Sequence, residues 1–249
     1  MGRRIDQTLG ALLPGLAVES LAEIDSTNTE LMRRARAGRL DPVLLVAQRQ
    51  TAGRGRLGRQ WLGEPGASLT FSLGLLLAPP DWSGLSLAVG VAVAEALHPA
   101  VRLKWPNDLW VQDRKLGGIL IETAAPPEGG GAARFTIVGI GLNLATPEGA
   151  GYATPPFALR ELLPHAGASA VLQQVAPPVL QAVRGFEQFG FAPFQARFQA
   201  RDALAGRAVR LSDGSTGTAH GVDAQGALLV HTAAGMKAVA TAEVSVRPA

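Results

Sequence analysis

A stretch that alternates glycine with arginine contains the residue types best suited to bind an anion. Residues 48–61 read QRQTAGRGRLGRQW. The glycines allow the backbone to approach a ligand closely, and Arg54, Arg56 and Arg59 each present a planar fork of donors that suits a carboxylate or a phosphate. This stretch, called the Gly/Arg loop below, therefore predicts an anion-binding site.

Other interpretations of the Gly/Arg loop have to be weighed against this one. Residues 53–58 satisfy the dinucleotide-binding pattern G-x-G-x-x-G, but Gly63, Pro65 and Gly66 follow and prevent the helix on which a pyrophosphate would rest. No Gly-Lys-Ser/Thr follows, so the loop is not a Walker phosphate loop. On composition alone, a flexible RNA-binding segment or a solvated basic loop stays open.

Length and composition describe a folded globular protein. The chain has 249 residues, of which 47% are hydrophobic and 17% charged, enough for one large domain with a small appendage. A net charge of only +3 does not indicate a general nucleic-acid binder. The absence of cysteine excludes disulfides and thiolate metal sites, and the four histidines show no paired ligand spacing. No apolar segment is long enough to span a bilayer, so we expect a cytoplasmic protein.

A run of short polar side chains lies near the start of the predicted main domain. Ser26, Thr27 and Asn28 follow Asp25, directly after a short predicted strand. Thr27 and Glu30 fit a capping box that would open a helix through about residue 37. The run has more hydrogen-bonding groups than a helix cap requires, so its remaining groups are available to the polar head of a ligand.

A second polar cluster interrupts a hairpin predicted at residues 101–122. Pro106 cannot donate to a central ladder, so we expect the chain to bulge there. The bulge would present Lys104, Asn107 and Asp108 on an irregular edge.

Glycines leave bare patches on two predicted strands. Gly117 and Gly118 lie in the returning strand of the hairpin, and Gly139 lies in a strand that ends near Asn143. A strand segment without side chains is destabilising unless another group packs flat against it. Both a flat ligand and close packing of the apolar helix predicted at residues 82–97 would explain the patch at 117–118.

From residue 206 onward the pattern changes to short β-runs separated by turns. We therefore divide the chain into residues 1–204 and residues 205–249. The second part is too short to fold confidently alone and is expected to pack on the first as a small β-barrel.

Taken together, these motifs resemble those of the biotin protein ligases. The similarity extends from about Ile24 to the C-terminus. It rests on five pieces in the family's order: DSTN at 25–28, GRGRLGRQW at 53–61, KWPNDL at 104–109, KLGGILIE at 115–122 and GIGLN at 139–143.

The resemblance implies an α+β fold, with a central mixed sheet, helices packed on one side and a small C-terminal β-barrel. It implies that biotin and ATP, with Mg²⁺ expected, react to biotinoyl-adenylate and pyrophosphate. The adenylate then acylates a lysine of a biotin carboxyl carrier protein. Many family members carry an N-terminal DNA-binding domain; we expect none here, hence no specific DNA binding. The sequence leaves open whether the protein is a monomer or a homodimer.

The family's pattern also assigns roles to residues of this chain. The residues implied in biotin binding are Ser26, Thr27, Asn28, Gln50, Arg54, Gly55, Arg56, Lys115, Gly117, Gly118 and Gly139. Those implied in binding ATP or the adenylate are Arg54, Arg56, Arg59, Trp61, Lys104, Asn107, Lys115 and Asn143. Arg54, Arg56 and Lys115 would stabilise the charge of the reaction. Asp108 is the candidate that orients or deprotonates the acceptor lysine, and the metal ligands are unknown.

Two rival functions and one conformational hypothesis complete the sequence-based predictions. A lipoate or octanoate ligase or transferase shares the fold implied here, and an arginine-rich nucleic-acid-binding module would use the same arginines on phosphates. The second rival would need a longer basic stripe with stacking aromatics, whereas only 5% of the residues are aromatic. Because glycines carry a large ordering entropy, we expect the Gly/Arg loop to be disordered without ligand and to close over the adenylate.

Overall fold

A computed structural model of the chain describes residues 2–61, 64–126, 131–147, 152, 154–240 and 246–248. Strands β1 to β7 lie at Ala17–Ile24, Val43–Gln50, Ser68–Leu77, Arg102–Lys104, Asp108–Val111, Arg114–Ala124 and Arg134–Asn143. Helices α1 to α5 lie at Gly2–Leu12, Thr27–Arg36, Leu85–Leu97, Ala168–Phe189 and Ala192–Gln199.

The seven strands form one mixed sheet in the order β1-β2-β3-β7-β6-β5-β4. Strands β1 and β2 are parallel, and all other neighbouring strands are antiparallel. A parallel pair requires a crossover connection, and α2 supplies it. The predicted mixed sheet is therefore confirmed, and its crossover places the beginning of α2 at the end of β1.

Helices cover the two faces of the sheet unequally. Leu69, Phe71 and Leu73 of β3 belong to a large core that also contains buried residues of α1, α3, α4 and α5. On the opposite face, α2 packs through Leu31 and Ala35 in a smaller core. The expectation of helices on one side is thus correct for all but α2, which the β1–β2 crossover carries to the other face.

The predicted hairpin at 101–122 is a meander of three strands with two turns. Residues 105–107 form the turn between β4 and β5, where proline was expected to interrupt the ladder. Gln112 and Asp113 form the second turn, with φ of 50° and 59°. The first turn brings Lys104 and Asp108 opposite each other at the edge of the sheet.

The C-terminal strands form a separate antiparallel sheet. Strands β8 to β12 lie at Ala208–Leu211, Thr216–Val222, Leu228–Thr232, Gly235–Val239 and Val246–Pro248, in the order β11-β10-β9-β8-β12. A closed barrel requires its first and last strands to pair. Among the described residues β11 and β12 lie at opposite edges, so the sheet is open and the expected barrel is wrong in this respect. None of the described helices has both the length and the apolar character of a membrane span.

Candidate active site

A cleft of about 920 Å³, including its open mouth, lies beside the beginning of α2. It brings together nearly all of the residues that the sequence motifs singled out. Those on its wall are Ser26, Thr27, Asn28, Gln50, Arg54, Gly55, Arg56, Arg59, Trp61, Lys104, Asn107, Asp108, Lys115, Gly118 and Gly139. Gly117 and Asn143 are not part of this wall.

One end of the cleft is formed by uncharged side chains at the start of α2. Ser26, rather than Thr27 as predicted, is the N-cap, and its hydroxyl accepts a hydrogen bond from the Thr29 backbone N–H at 3.4 Å. The Thr27 side chain therefore does not cap the helix. Its backbone N–H and its hydroxyl both donate to Gln50 Oε1, at 2.8 Å and 3.1 Å. These contacts fix the end of β2 against α2.

A buried serine that the sequence analysis missed connects this end of the cleft to β3. Ser72 Oγ lies 2.7 Å from Thr27 Oγ1 and 2.6 Å from Asn28 Oδ1. A hydroxyl has a single proton, so Ser72 donates to one of the two at a time. The sequence did contain a hint of this role. Ser72 alternates with apolar residues along β3, so its side chain faces the opposite side of the sheet from theirs. We call Thr27, Asn28, Gln50 and Ser72 the neutral end of the cleft.

A carboxylate at the end of β6 joins the neutral end to the Gly/Arg loop. Asn28 Nδ2 donates to the Leu120 carbonyl at 3.2 Å and to Glu122 Oε2 at 2.9 Å. Glu122 Oε1 also lies 3.0 Å from a terminal nitrogen of Arg54. Glu122 belongs to the KLGGILIE motif, but no role was predicted for it. The structure makes it the link between the amide of Asn28 and the guanidinium of Arg54.

The Gly/Arg loop folds back on itself above the cleft. Arg54 and Gln60 form an isolated antiparallel bridge, and the Gly55 N–H donates to the Arg59 carbonyl at 2.7 Å. These contacts fold the loop into a compact turn. The expectation that it is disordered before a ligand binds remains a prediction.

The aromatic residue that ends the Gly/Arg loop packs on the sheet. A Cβ atom at Gly141 would lie 2.4 Å from Trp61 Cε2, so only glycine leaves room for the indole there. Within the described part of the chain, the buried Trp61 Nε1 has no hydrogen-bond partner. A buried N–H without an acceptor is costly, and an acceptor on a ligand would satisfy it.

The other end of the cleft is built from charged side chains. Lys115 Nζ lies 2.6 Å from Asp108 Oδ1, and Lys104 Nζ lies 3.8 Å from Asp108 Oδ2. Half-buried Arg56 lies nearby; burial lowers its pKa, and the charge of Asp108 partly offsets this effect. We call Lys104, Lys115, Asp108 and Arg56 the charged end of the cleft.

Several predicted ligand-binding groups make contacts within the protein instead. Asn107 Nδ2 donates to the Ile119 carbonyl at 2.8 Å, and Asn143 Nδ2 donates to the Lys115 carbonyl at 3.1 Å. A Cβ at Gly117 would lie 2.5 Å from the Gly141 carbonyl oxygen, so the neighbouring strand occupies that space. At Gly139 a Cβ would lie 2.1 Å from Asn28 Oδ1. These glycines are thus required by the packing of the protein itself.

The carboxylates near the cleft do not form a metal site. No group of three or more His, Cys, Asp or Glu side chains that could hold a metal ion occurs among the described residues. Asp108 is engaged by Lys115 and Lys104, and Glu122 by Arg54 and Asn28. The cleft carboxylates that the structure describes are thus engaged by protein groups, and they do not form a ready-made Mg²⁺ site of their own.

Comparison with known proteins agrees with this geometry. The chain matches the "Biotin/lipoate A/B protein ligase family" over residues 20–143 and the "Biotin protein ligase C terminal domain" over residues 205–247. It is 34% identical to the biotin–[acetyl-CoA-carboxylase] ligase of Paracoccus denitrificans, over 90% of this chain and 98% of the relative. It is 36% identical to the bifunctional ligase/repressor BirA of Escherichia coli, over 98% of this chain and 78% of the relative.

Solved structures give the same result. The biotin protein ligase of Aquifex aeolicus in complex with biotin and ATP superposes with a TM-score of 0.79 at 31% identity, covering 94% of this chain and 99% of that one. Together, the matched sequence families and this structural similarity identify the chain as a member of the biotin protein ligase family.

Proposed function

We propose that the cleft activates biotin with ATP and transfers it to a lysine of a biotin carboxyl carrier protein. In the first step, a carboxylate oxygen of biotin attacks the α-phosphorus, and the bond to the pyrophosphate oxygen breaks. In the second step, the amine of the acceptor lysine attacks the acyl carbon, and AMP leaves. The observation that supports this proposal is that a single cleft has both a neutral end and a charged end.

The neutral end suits the uncharged head of biotin. A urea group has N–H donors and a carbonyl acceptor, and the hydroxyls and amides of Ser26, Thr27, Asn28 and Gln50 offer matching partners. Ser72 contacts Thr27 and Asn28, and Glu122 accepts from Asn28, so these two partners are held in fixed orientations. Fixed partners reduce the ordering cost of binding, so this end would determine specificity for the head group.

The charged end suits the reacting anions. Attack of a carboxylate on the α-phosphate brings negative groups together, and fixed cations stabilise the charge that develops in the transition state. Lys115 lies on the cleft wall, and so do Arg54, Arg56 and Arg59 of the Gly/Arg loop. The unpartnered N–H of Trp61 would donate to an oxygen of the nucleotide or the adenylate.

Asp108 is proposed to act in the transfer step. A free lysine is almost fully protonated at neutral pH, so the acceptor amine has to lose a proton before it attacks. Asp108 lies on the cleft wall beside Lys115, within reach of an amine that approaches the charged end. In the adenylation step its contact with Lys115 would instead keep that ammonium in position.

Any Mg²⁺ would enter with ATP rather than occupy a site of its own. Mg²⁺ commonly keeps several waters and takes its other ligands from substrate phosphates and one or two carboxylates, rather than from a cage built by the protein alone. The carboxylates of the cleft are held by cations, which is consistent with this arrangement.

The function can be tested by measuring pyrophosphate release from ATP with biotin, lipoate or octanoate as the acid. We expect release with biotin, and subsequent labelling of a carrier domain that retains its acceptor lysine. A carrier in which that lysine is replaced by arginine serves as the control. Faster release with lipoate or octanoate than with biotin would contradict the proposal and favour the related ligases.

A further inference from the structure

The strand that carries Lys115 has an irregular register just beside this residue. Asp108 pairs with Gly118 and Leu109 with Gly117, but Trp110 pairs with Lys115, so Leu116 is an extra residue in β6. Such a β-bulge reverses the direction of the side chains that follow it along a strand.

The bulge explains why Lys115 faces the cleft. In a regular strand Lys115 and Gly118 would point to opposite faces. Here a Cβ built at Gly118 would lie 3.5 Å from Lys115 Nζ, which shows that both face the same side. The position of the ammonium therefore depends on how firmly the backbone of this bulge is held.

The backbone of Lys115 is held by a segment from outside the main sheet. The pairing of β6 with β7 begins at Gly117, so β7 offers Lys115 no register partner. Residues 154–158, called the strap below, take that place. The Lys115 N–H donates to the Pro155 carbonyl at 2.8 Å, and the Phe157 N–H donates to the Lys115 carbonyl at 2.8 Å. The amide of Asn143 donates to the same carbonyl at 3.1 Å.

The strap is in turn held by one ion pair. Arg114 Nε donates to the Pro156 carbonyl at 3.0 Å, and the guanidinium forms two hydrogen bonds with Glu161, at 2.7 Å and 2.9 Å. The same guanidinium lies 4.8 Å from the ring centre of buried Phe157. Glu161 also accepts from the Ala158 N–H at 2.9 Å. Arg114 thus contacts the middle of the strap directly and its C-terminal end through Glu161.

We propose that the Arg114–Glu161 pair is a positioning device for Lys115. By holding the strap against the bulge, the pair fixes the backbone from which the ammonium reaches Asp108 and the reacting anion. Arg114 and Glu161 are positioning residues, since neither lines the cleft. The proposal rests on the proposed role of Lys115 in adenylation.

Because the Arg114–Glu161 pair is partly exposed to solvent, a positioning role and a purely stabilising role predict different effects of removing it. The side chains of Arg114 and Glu161 are 32% and 38% exposed, and partly exposed ion pairs contribute little to stability. A purely structural pair would therefore have little influence on either stability or rate. A positioning pair would leave stability nearly unchanged and still lower the rate of the chemical step.

The test is a double-mutant cycle on biotin adenylation, with Glu161→Ala, Lys115→Ala and the combined variant. We expect Glu161→Ala to lower kcat about 10-fold while the KM for biotin stays unchanged, because a small displacement of a reacting group costs rate. In the Lys115→Ala background the same change should have no further effect, because the group that it positions is gone. Arg114→Lys should behave like Glu161→Ala, since lysine keeps the charge but loses the paired hydrogen bonds.

A matched ion pair elsewhere in the fold provides the control. Arg197 forms two hydrogen bonds with Glu95, at 3.1 Å and 2.5 Å, and its guanidinium lies 5.2 Å from the ring centre of Phe194. This pair joins α3 to α5 and does not line the cleft. Glu95→Ala should therefore leave kcat unchanged.

Each outcome of the cycle distinguishes the two proposals. If Lys115→Ala slows adenylation and Glu161→Ala does not, or if their effects multiply, the positioning role is overturned and the proposed function stands. A loss of kcat in Glu95→Ala equal to that in Glu161→Ala would also overturn the positioning role. If Lys115→Ala leaves adenylation unchanged, the proposed role of Lys115 is overturned, and the positioning role with it.

Discussion

The two ends of the cleft are built in different ways. At the neutral end, Thr27, Asn28 and Ser72 are buried, and each forms hydrogen bonds with residues of another secondary-structure element. At the charged end, Lys115 and Asp108 are only partly buried, and their main contact is with each other. The first end is fixed by the fold before any ligand arrives, whereas the second consists of ion pairs that can exchange partners.

This difference matches two requirements of the proposed reaction. Recognition of an uncharged head needs donors and acceptors in fixed places, because an unpaired buried polar group rejects the wrong ligand. Activation of a carboxylate needs cations that can contact a substrate anion instead of a protein carboxylate. We therefore expect changes at the neutral end to alter KM for biotin, and changes at the charged end to alter the rates of the chemical steps.

The largest effect is expected from Lys115→Ala. Removal of one preorganised cation should lower kcat for adenylation about 10²- to 10³-fold, while the KM for biotin changes little. Single-turnover measurement of pyrophosphate release would show this. Adenylation near the wild-type rate would mean that the charged end does not stabilise the transition state.

Asp108→Asn should separate the two steps. If Asp108 takes the proton of the acceptor lysine, transfer from preformed adenylate should slow about 10²-fold, and adenylate synthesis should slow less. The two rates can be measured separately with purified biotinoyl-adenylate and a carrier domain. Equal loss in both steps would assign Asp108 to holding Lys115 rather than to proton transfer.

At the neutral end, Gly139→Ala should act on binding. The added methyl group would displace the side chain of Asn28, since a Cβ there lies 2.1 Å from Asn28 Oδ1. Loss of the ordered network should raise the KM for biotin about 10- to 10²-fold, with a smaller change in kcat. Thermal unfolding would check that the variant folds, and a change confined to kcat would contradict the division between the two ends.

Arg56→Gln should weaken the retention of biotinoyl-adenylate by the Gly/Arg loop. Loss of this charge removes a charge-assisted contact to the adenylate, so release of biotinoyl-adenylate into solution should accelerate about 10-fold. A stopped-flow or filter-binding assay of release would measure it, with Arg184→Gln, far from the cleft wall, as the control. Unchanged release would argue against the loop as a lid.

A smaller effect is expected from Gly141→Ala, two residues from Gly139 on the same strand. Its methyl group would displace Trp61 instead of Asn28. Adenylate release should therefore rise a few-fold, about 1 kcal/mol in binding, and the KM for biotin should stay close to that of the wild type. If Gly141→Ala and Gly139→Ala gave the same kinetic change, the two ends of the cleft would not be functionally distinct.

Most of the candidate site was predictable from the sequence because its motifs lie in loops and at strand ends. The Gly/Arg loop, the turn at 105–107 and the start of α2 all meet at the cleft. Other features of the site depend on tertiary contacts. Asn143 remains a predicted ligand-binding residue, and its amide also holds the Lys115 carbonyl. Ser72 looks like an ordinary strand residue, yet the crossover helix places Thr27 and Asn28 directly against it.

The sequence by itself determined the residue types at the cleft through local patterns, and it implied the reaction class and the mixed sheet through the resemblance of its ordered motifs to those of biotin protein ligases. Only the tertiary structure decided how those residues are held. The link through Glu122 and the strap that holds Lys115 both join segments distant in the sequence. Such contacts depend on how strands align in space, and no local pattern of side chains encodes that alignment.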